Sequence, residues 1–296
     1  MKNRRIAYRS IPSSLHQEVG RQLGDYSVAI AQLRQDDSAT FRVLGSGTCV
    51  IRAGVYGILT AHHCLHACTP EITLGKGGAD KLVFIARLGR TILVPQEKLV
   101  ERILARPKNS QYGPDLTFIE IPLGPSLASL KAIVSFWRLD RNPHEVMRKY
   151  CIDRAYIANL GYLENRSETK IIGKQIQPNI VEYSAVGALL KGDIEHRGGW
   201  DYINSLCDFR AFPHLPSTFG GMSGGGIWAV LLKLKQDGQT EVHDFALVGV
   251  IFFQTEKRRN RRILRGHFVH SIYRHAWRRQ SSQPQNPPAT TPAKET

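Results

Sequence analysis

Apolar positions in this chain fall in short runs and not in helical stripes. From Tyr26 onward, segments rich in Val, Ile, Thr and Tyr recur between Gly, Pro, Asn and Asp. They are YSVAIAQL (26–33), GTCVIRAG (47–54), VYGILTA (55–61), KLVFIARL (81–88), TILVP (91–95) and DLTFIEIPL (115–123). In the last, Leu116, Phe118 and Glu120 alternate with Thr117, Ile119 and Ile121, the period-two pattern of a strand. Residues 124–149 lose the pattern and read as a connector with one helical turn in PHEVMRKY. Strand-like runs then resume: RAYIANLGYL (154–163), TKIIGKQI (169–176), IVEYSAVGALL (180–190), GGIWAVLLKL (225–234), FALVGVIFF (245–253) and ILRGHFVH (263–270). Ile272, Tyr273 and Ala276 have helical spacing, and a short helix is predicted near Ser13–Leu23.

The pattern predicts an all-β protein, sandwich or barrel, in two halves. An extension (1–24) precedes a first β unit (25–125), a connector (126–150) and a second β unit with a closing helix (151–278). The last stretch, 279–296, is Pro, Gln, Ser and Thr with nothing to bury, and reads as a disordered tail.

Composition narrows the class. The 296 residues suffice for two small cores, and 42% hydrophobic content excludes a disordered or collagen-like chain. No apolar run approaches the roughly 18 residues of a membrane span. The first twenty residues hold no apolar signal core, and five cysteines are too few for a disulfide scaffold. Both features point to free thiols and a cytoplasmic setting. The charge is 40 − 25 = +15, which favours anionic partners. Part of it is concentrated in Lys257-Arg-Arg-Asn-Arg-Arg262 with Arg265. That run reads as a solvated hairpin tip or as a contact for an acidic partner or nucleic acid. It has no interleaved aromatic residue, so a base-stacking platform is disfavoured.

Three segments carry chemistry. They are Gly45-Ser-Gly-Thr-Cys-Val-Ile51 followed by Ile58-Leu-Thr-Ala-His-His-Cys64; Gly113-Pro-Asp-Leu-Thr-Phe-Ile-Glu-Ile121; and Gly220-Gly-Met-Ser-Gly-Gly-Gly226. A serine hydroxyl needs a base to take its proton, an orienter for that base and donors for the developing oxyanion. The glycines around Ser223 allow a sharp turn that aims N–H groups into one small space. Asp115 stands at the mouth of a strand, and a histidine ends another.

ILTAHHC, DLTFIEI and GMSGGG, in that order, resemble the three boxes of the chymotrypsin/trypsin-like serine protease family, in an intracellular bacterial-type variant. The intervals, 63 to 115 and 115 to 223, suit one barrel per half. The resemblance implies two six-stranded antiparallel Greek-key β-barrels with a C-terminal helix. It implies a serine endopeptidase acting on protein or peptide through an acyl-enzyme, without cofactor or metal. His63 would be the general base, Asp115 its orienter and Ser223 the nucleophile, with the N–H groups of Gly221 and Ser223 as the oxyanion hole. Ser217 would be the floor of the primary pocket, and Phe252, Phe253 and Gln254 would pair with an extended substrate. Gly266 would line the far wall, with His267 near the pocket. A neutral Ser217 favours small or medium uncharged side chains. Met222 stands where secreted members carry the acid that receives a freed N-terminus. The site is therefore either competent on folding or switched by a protein partner that orders residues 217–222. The competing class is a non-cleaving protein- or nucleic-acid-binding module on the same fold. His62, Cys64, His66 and Cys68 form a cluster of metal-ligand types, but with no second ligand pair at clear spacing, packing of a helical turn is the preferred reading.

Overall fold

The computed structural model describes residues 12–33, 41–66, 81–87, 90–94, 96–107, 113–150, 155–164, 168–172, 175–179, 182–187, 194–210 and 215–278. The protein is predominantly β, with two large sheets whose main strand pairs are antiparallel. The first sheet contains β1 (Ser27–Leu33), β2 (Phe41–Arg52), β3 (Val55–Thr60), β4 (Lys81–Ala86), β5 (Arg90–Leu93), β6 (Val100–Ala105) and β7 (Leu116–Glu120). Their order is β5-β4-β1-β2-β3-β7-β6, and the two-residue β8 (Trp137–Arg138) runs parallel to β2. Next come β9 (Tyr156–Tyr162), a separate hairpin of β10 (Glu168–Ile172) and β11 (Gln175–Asn179), then β12 (Glu182–Gly187), β13 (Ile194–Arg197), β14 (Trp200–Asp208), β15 (Gly226–Leu234), β16 (Thr240–Gln254) and β17 (Arg261–His267). The second sheet has the order β12-β9-β15-β16-β17-β14-β13. Among the described residues neither sheet closes on itself through strand pairing. In each, however, the two edge strands are consecutive along the chain: β5 and β6 in one, β12 and β13 in the other.

Side-chain size decides how the sheets meet. β1 is buried on both faces. Its Val28 and Ile30 fill a core with Ile58, Phe84 and Ile119 of the first sheet. Ala29 and Ala31 point the other way, and their small side chains let Tyr162 of β9 pack against them. The largest core spans both sheets, joining Val50, Leu59 and Phe118 to Leu160, Ile227, Trp228 and Val250.

The connector is more regular than its sequence suggests. It holds two helices, Pro125–Lys131 and Pro143–Lys149, in place of a single turn. Asn142 caps the second of them, its side chain accepting from the His144 N–H at 3.0 Å, and Pro143 fixes the first turn. The predicted N-terminal helix is present as Ser13–Gly24, and its Val19 and Leu23 join the shared core. Residues 271–275 form a wider π turn that leads into the single helical turn Ala276–Arg278, with Ile272 and Ala276 fully buried. The expected tail, 279–296, lies outside the described residues. No helix among the described residues is long and apolar enough to cross a membrane.

Candidate active site

Strand register brings His63 and Asp115 together. β3 and β7 are antiparallel, with Thr60 opposite Thr117. The chain just beyond β3 therefore lies beside the chain just before β7. The Asp115 carboxylate, 1% exposed, spans the gap. Oδ1 accepts from the His63 N–H at 3.1 Å, and Oδ2 lies 2.5 Å from His63 Nδ1. A carboxylate only accepts, so Nδ1 carries a proton whether the ring is charged or neutral, and in the neutral form Nε2 presents its lone pair. Burial acts against charge on this imidazole, while the Cys64 sulfur and Asp115 favour it. The latter prevail and hold His63 above its ordinary range.

The loop carrying Ser223 is fastened mainly through its carbonyls. Ser46 in β2 donates its hydroxyl to the Gly221 carbonyl at 2.7 Å and its N–H to the Ser223 carbonyl at 2.7 Å. The same hydroxyl accepts from the Tyr162 N–H at 2.8 Å. The Cys64 thiol donates to the Ser223 carbonyl at 3.4 Å, so the residue after His63 touches Ser223. This crowding explains two glycines. A Cβ on Gly45 would strike the Cys64 sulfur, and a Cβ on Gly224, whose φ is +86°, would strike the Ser46 carbonyl and Thr60 Oγ1.

The N–H groups of the loop divide sharply. Gly220 N–H donates to Thr218 Oγ1 at 3.2 Å, Met222 N–H to the Phe219 carbonyl at 3.1 Å, Gly224 N–H to the Ile251 carbonyl at 2.7 Å and Gly225 N–H to the Met222 carbonyl at 2.9 Å. Among the described residues, the N–H groups of Gly221 and Ser223 have no acceptor. Both residues are half-buried, so these two N–H groups are available to solvent or to a bound acceptor. The Met222 side chain is fully buried in the shared core, so burial of an apolar group anchors the loop. No hydrogen bond joins the Ser223 hydroxyl to His63 among the described residues.

No family model matches the chain, and no curated protein matches it.

The remaining predicted residues are spread around this centre. Ser217 is exposed, while Phe252 is buried and packs on Tyr202 and His267 with ring centroids 5.9 and 4.9 Å away. Phe253 is half-buried and pairs with Arg265 of β17 beside a bulge. Gln254 is a clamp: its Oε1 accepts from Phe219 N–H at 2.9 Å and from Arg262 at 2.7 Å, and its Nε2 donates to Thr218 at 3.2 Å. Gly266 is packed tightly, since a Cβ there would meet Ile227 and, at 2.7 Å, the Val250 carbonyl. Residues 257–261 of the basic run are exposed, although several have a partner within the protein. Arg265 is buried and forks onto Glu195 at 2.9 Å through both terminal nitrogens, Arg261 lies 3.4 Å from Asp208, and Lys257 lies over Phe209. Arg259 and Asn260 both have positive φ and form the two-residue tip of the hairpin.

Two neighbours of the site carry little sequence signal. His267 is fully buried under Asp115, with Nε2 accepting the Asp115 N–H at 3.0 Å. Burial pushes its pKa down to about 3; Asp115 opposes the shift, and Arg265 and His275 add to it. Ser46 is the other. The motif Gly45-Ser-Gly47 marks a close approach, but nothing in it names the loop approached. Cys49, Cys64 and Cys207 are buried free thiols.

Proposed function

We propose that this chain is a serine endopeptidase with a trypsin-like arrangement of two rolled sheets. The consecutive edge strands of each sheet support rolling, because a short connection can then bring the edges together. The observation that carries the reading is the pair of unpaired N–H groups at Gly221 and Ser223, one residue away through Cys64 from an Asp115-oriented His63.

In the proposed reaction, the Ser223 hydroxyl attacks the scissile carbonyl and passes its proton to His63 Nε2. Asp115 keeps the imidazole in the Nδ1–H tautomer and stabilises the imidazolium. The tetrahedral oxyanion is held by the Gly221 and Ser223 N–H groups. His63 then protonates the leaving amine, and water hydrolyses the acyl-enzyme by the same path in reverse. The substrate is an extended segment with a small or medium uncharged side chain at the neutral Ser217 and backbone pairing along Phe252–Gln254. The Ser223 side chain must turn to meet His63, a movement that substrate or a protein partner bound at 217–222 would drive.

The missing serine–histidine bond also favours one alternative, a binding module that holds an extended peptide without cutting it. A fluorophosphonate probe decides between them. Labelling of the wild type that is lost in Ser223→Ala is the expected result. No labelling of folded protein, with or without peptide libraries, overturns the enzyme reading. A cleavage profile dominated by Arg and Lys overturns the assigned specificity.

A further inference from the structure

His62, His66 and Glu101 form a cluster that the proposed peptide chemistry does not use. His62 and His66 stand four residues apart on the turn after β3, the interval that stacks side chains on one helical face. Their ring centroids are 4.2 Å apart. Glu101 arrives from β6, on the far side of β7. Its Oε1 lies 3.3 Å from His62 Nδ1 and 2.8 Å from His66 Nε2, and its Oε2 lies 3.0 Å from His66 Nε2. One ligand atom from each of the three residues can be chosen so that all lie within 4.8 Å of one another.

We propose that this cluster is a binding site for a divalent transition metal of the zinc class. Bonds of about 2.0–2.1 Å arranged tetrahedrally set neighbouring ligand atoms about 3.3 Å apart. The separation from His62 to Glu101 already has that value. The His66 contact is a hydrogen bond that opens by roughly half an ångström when metal replaces the proton. Two imidazoles and one carboxylate select zinc, cobalt or nickel over calcium or magnesium, which prefer all-oxygen sites.

Three further features suit a metal. His62 is 8% exposed, and its Nδ1 is buried without a hydrogen-bond partner, although it faces the carboxylate. The Thr117 hydroxyl donates to Glu101 Oε1 at 3.0 Å and so helps to orient the carboxylate. The His66 side chain is 41% exposed, which leaves a route of entry and a fourth position for water. Of the cysteines in this stretch, Cys64 turns away to the Ser223 carbonyl, and Cys68 lies outside the described residues. The missing ligand of the sequence cluster is therefore a glutamate from another strand. A metal here ties the turn bearing His63 to β6 without occupying either ring nitrogen of His63.

The test uses the full chain, freed of metal, titrated with Zn²⁺ by calorimetry and with Co²⁺ by visible absorption. One equivalent of Zn²⁺, a Co²⁺ ligand-field band and a raised melting temperature are expected. His66→Ala and Glu101→Gln, both at partly exposed side chains, each weaken Zn²⁺ binding by about 100-fold or more, beyond the effect typical of an outer-shell change. The proposal is overturned by absence of binding below about 100 μM, where the free energy falls under that of a specific site. It is equally overturned by binding that persists in both variants, which would assign the metal to other residues. Neither readout requires catalysis, so the site stands or falls independently of the peptidase reading.

Discussion

The Ser46 hydroxyl donates a 2.7 Å hydrogen bond to the Gly221 carbonyl, across 175 residues of sequence. Turning that carbonyl toward β2 fixes the following peptide, and with it the loop that bears Ser223. Ser46 is fully buried, and its hydroxyl also accepts from Tyr162. Ser46→Ala leaves one buried donor, the Tyr162 N–H, and one part-buried acceptor, the Gly221 carbonyl, unpaired, a loss of about 1–3 kcal/mol in chemical denaturation. Fluorophosphonate labelling should slow by about 10–100-fold through misplacement of the loop. Unaltered labelling would show that the Ser46 bond does not position Ser223.

Gly224 and Gly238 share positive φ values, +86° and +83°, but not their surroundings. Gly238 has nothing within 4 Å of an added Cβ, whereas Gly224 faces the Ser46 carbonyl and Thr60. Gly238→Ala should cost about 1 kcal/mol, the price of the backbone conformation alone. Gly224→Ala adds a steric clash and should cost about 3 kcal/mol or more. Thermal unfolding of the two variants separates conformation from space.

Asp115→Asn retains the shape of the side chain but offers an amide donor to His63 Nδ1. The imidazole is then driven to the other tautomer, with Nε2 protonated and unable to accept from Ser223. The labelling rate should fall by about 10⁴-fold at neutral pH. A rate within tenfold of wild type would remove Asp115 from the mechanism.

His267 makes stability depend on acidity. Its folded pKa of about 3 lies below the ordinary 6.5, so the unfolded chain binds a proton that the folded chain refuses. The stabilisation is complete above pH 6.5 and is lost as pH falls toward 3, with a slope of up to about 1.4 kcal/mol per pH unit. Denaturation midpoints measured from pH 7 to pH 4 should fall more steeply for wild type than for His267→Asn. Equal slopes would assign the acid sensitivity to other groups.

Much of the fold is legible in the chain because apolar residues fill most strands in short runs, as in β1, β4 and β7. The strands without a predicted counterpart lack that signature. β6, with the sequence VERILA, carries Glu101 and Arg102 in its middle, and β13, with the sequence IEHR, is mostly charged. β14 mixes Asp201 and Asn204 with Trp200 and Tyr202, because Asp201 accepts the N–H groups of His270 and Ser271. The same logic divides the site. His63 and Asp115 sit in motifs whose spacing can be read locally, and register unites them. Glu101, Ser46 and His267 act across strands, and a one-dimensional pattern does not record which residue a strand will face.

The bonds that set the Ser223 loop also set a schedule for biosynthesis. His63 and Asp115 are made early, but the Gly224 N–H waits for the Ile251 carbonyl and the Asp115 N–H for the His267 ring. A ribosome must release residue 267 before both bonds can form. The nascent chain thus carries His63 and Asp115 long before the loop that bears Ser223 can take up its fixed shape.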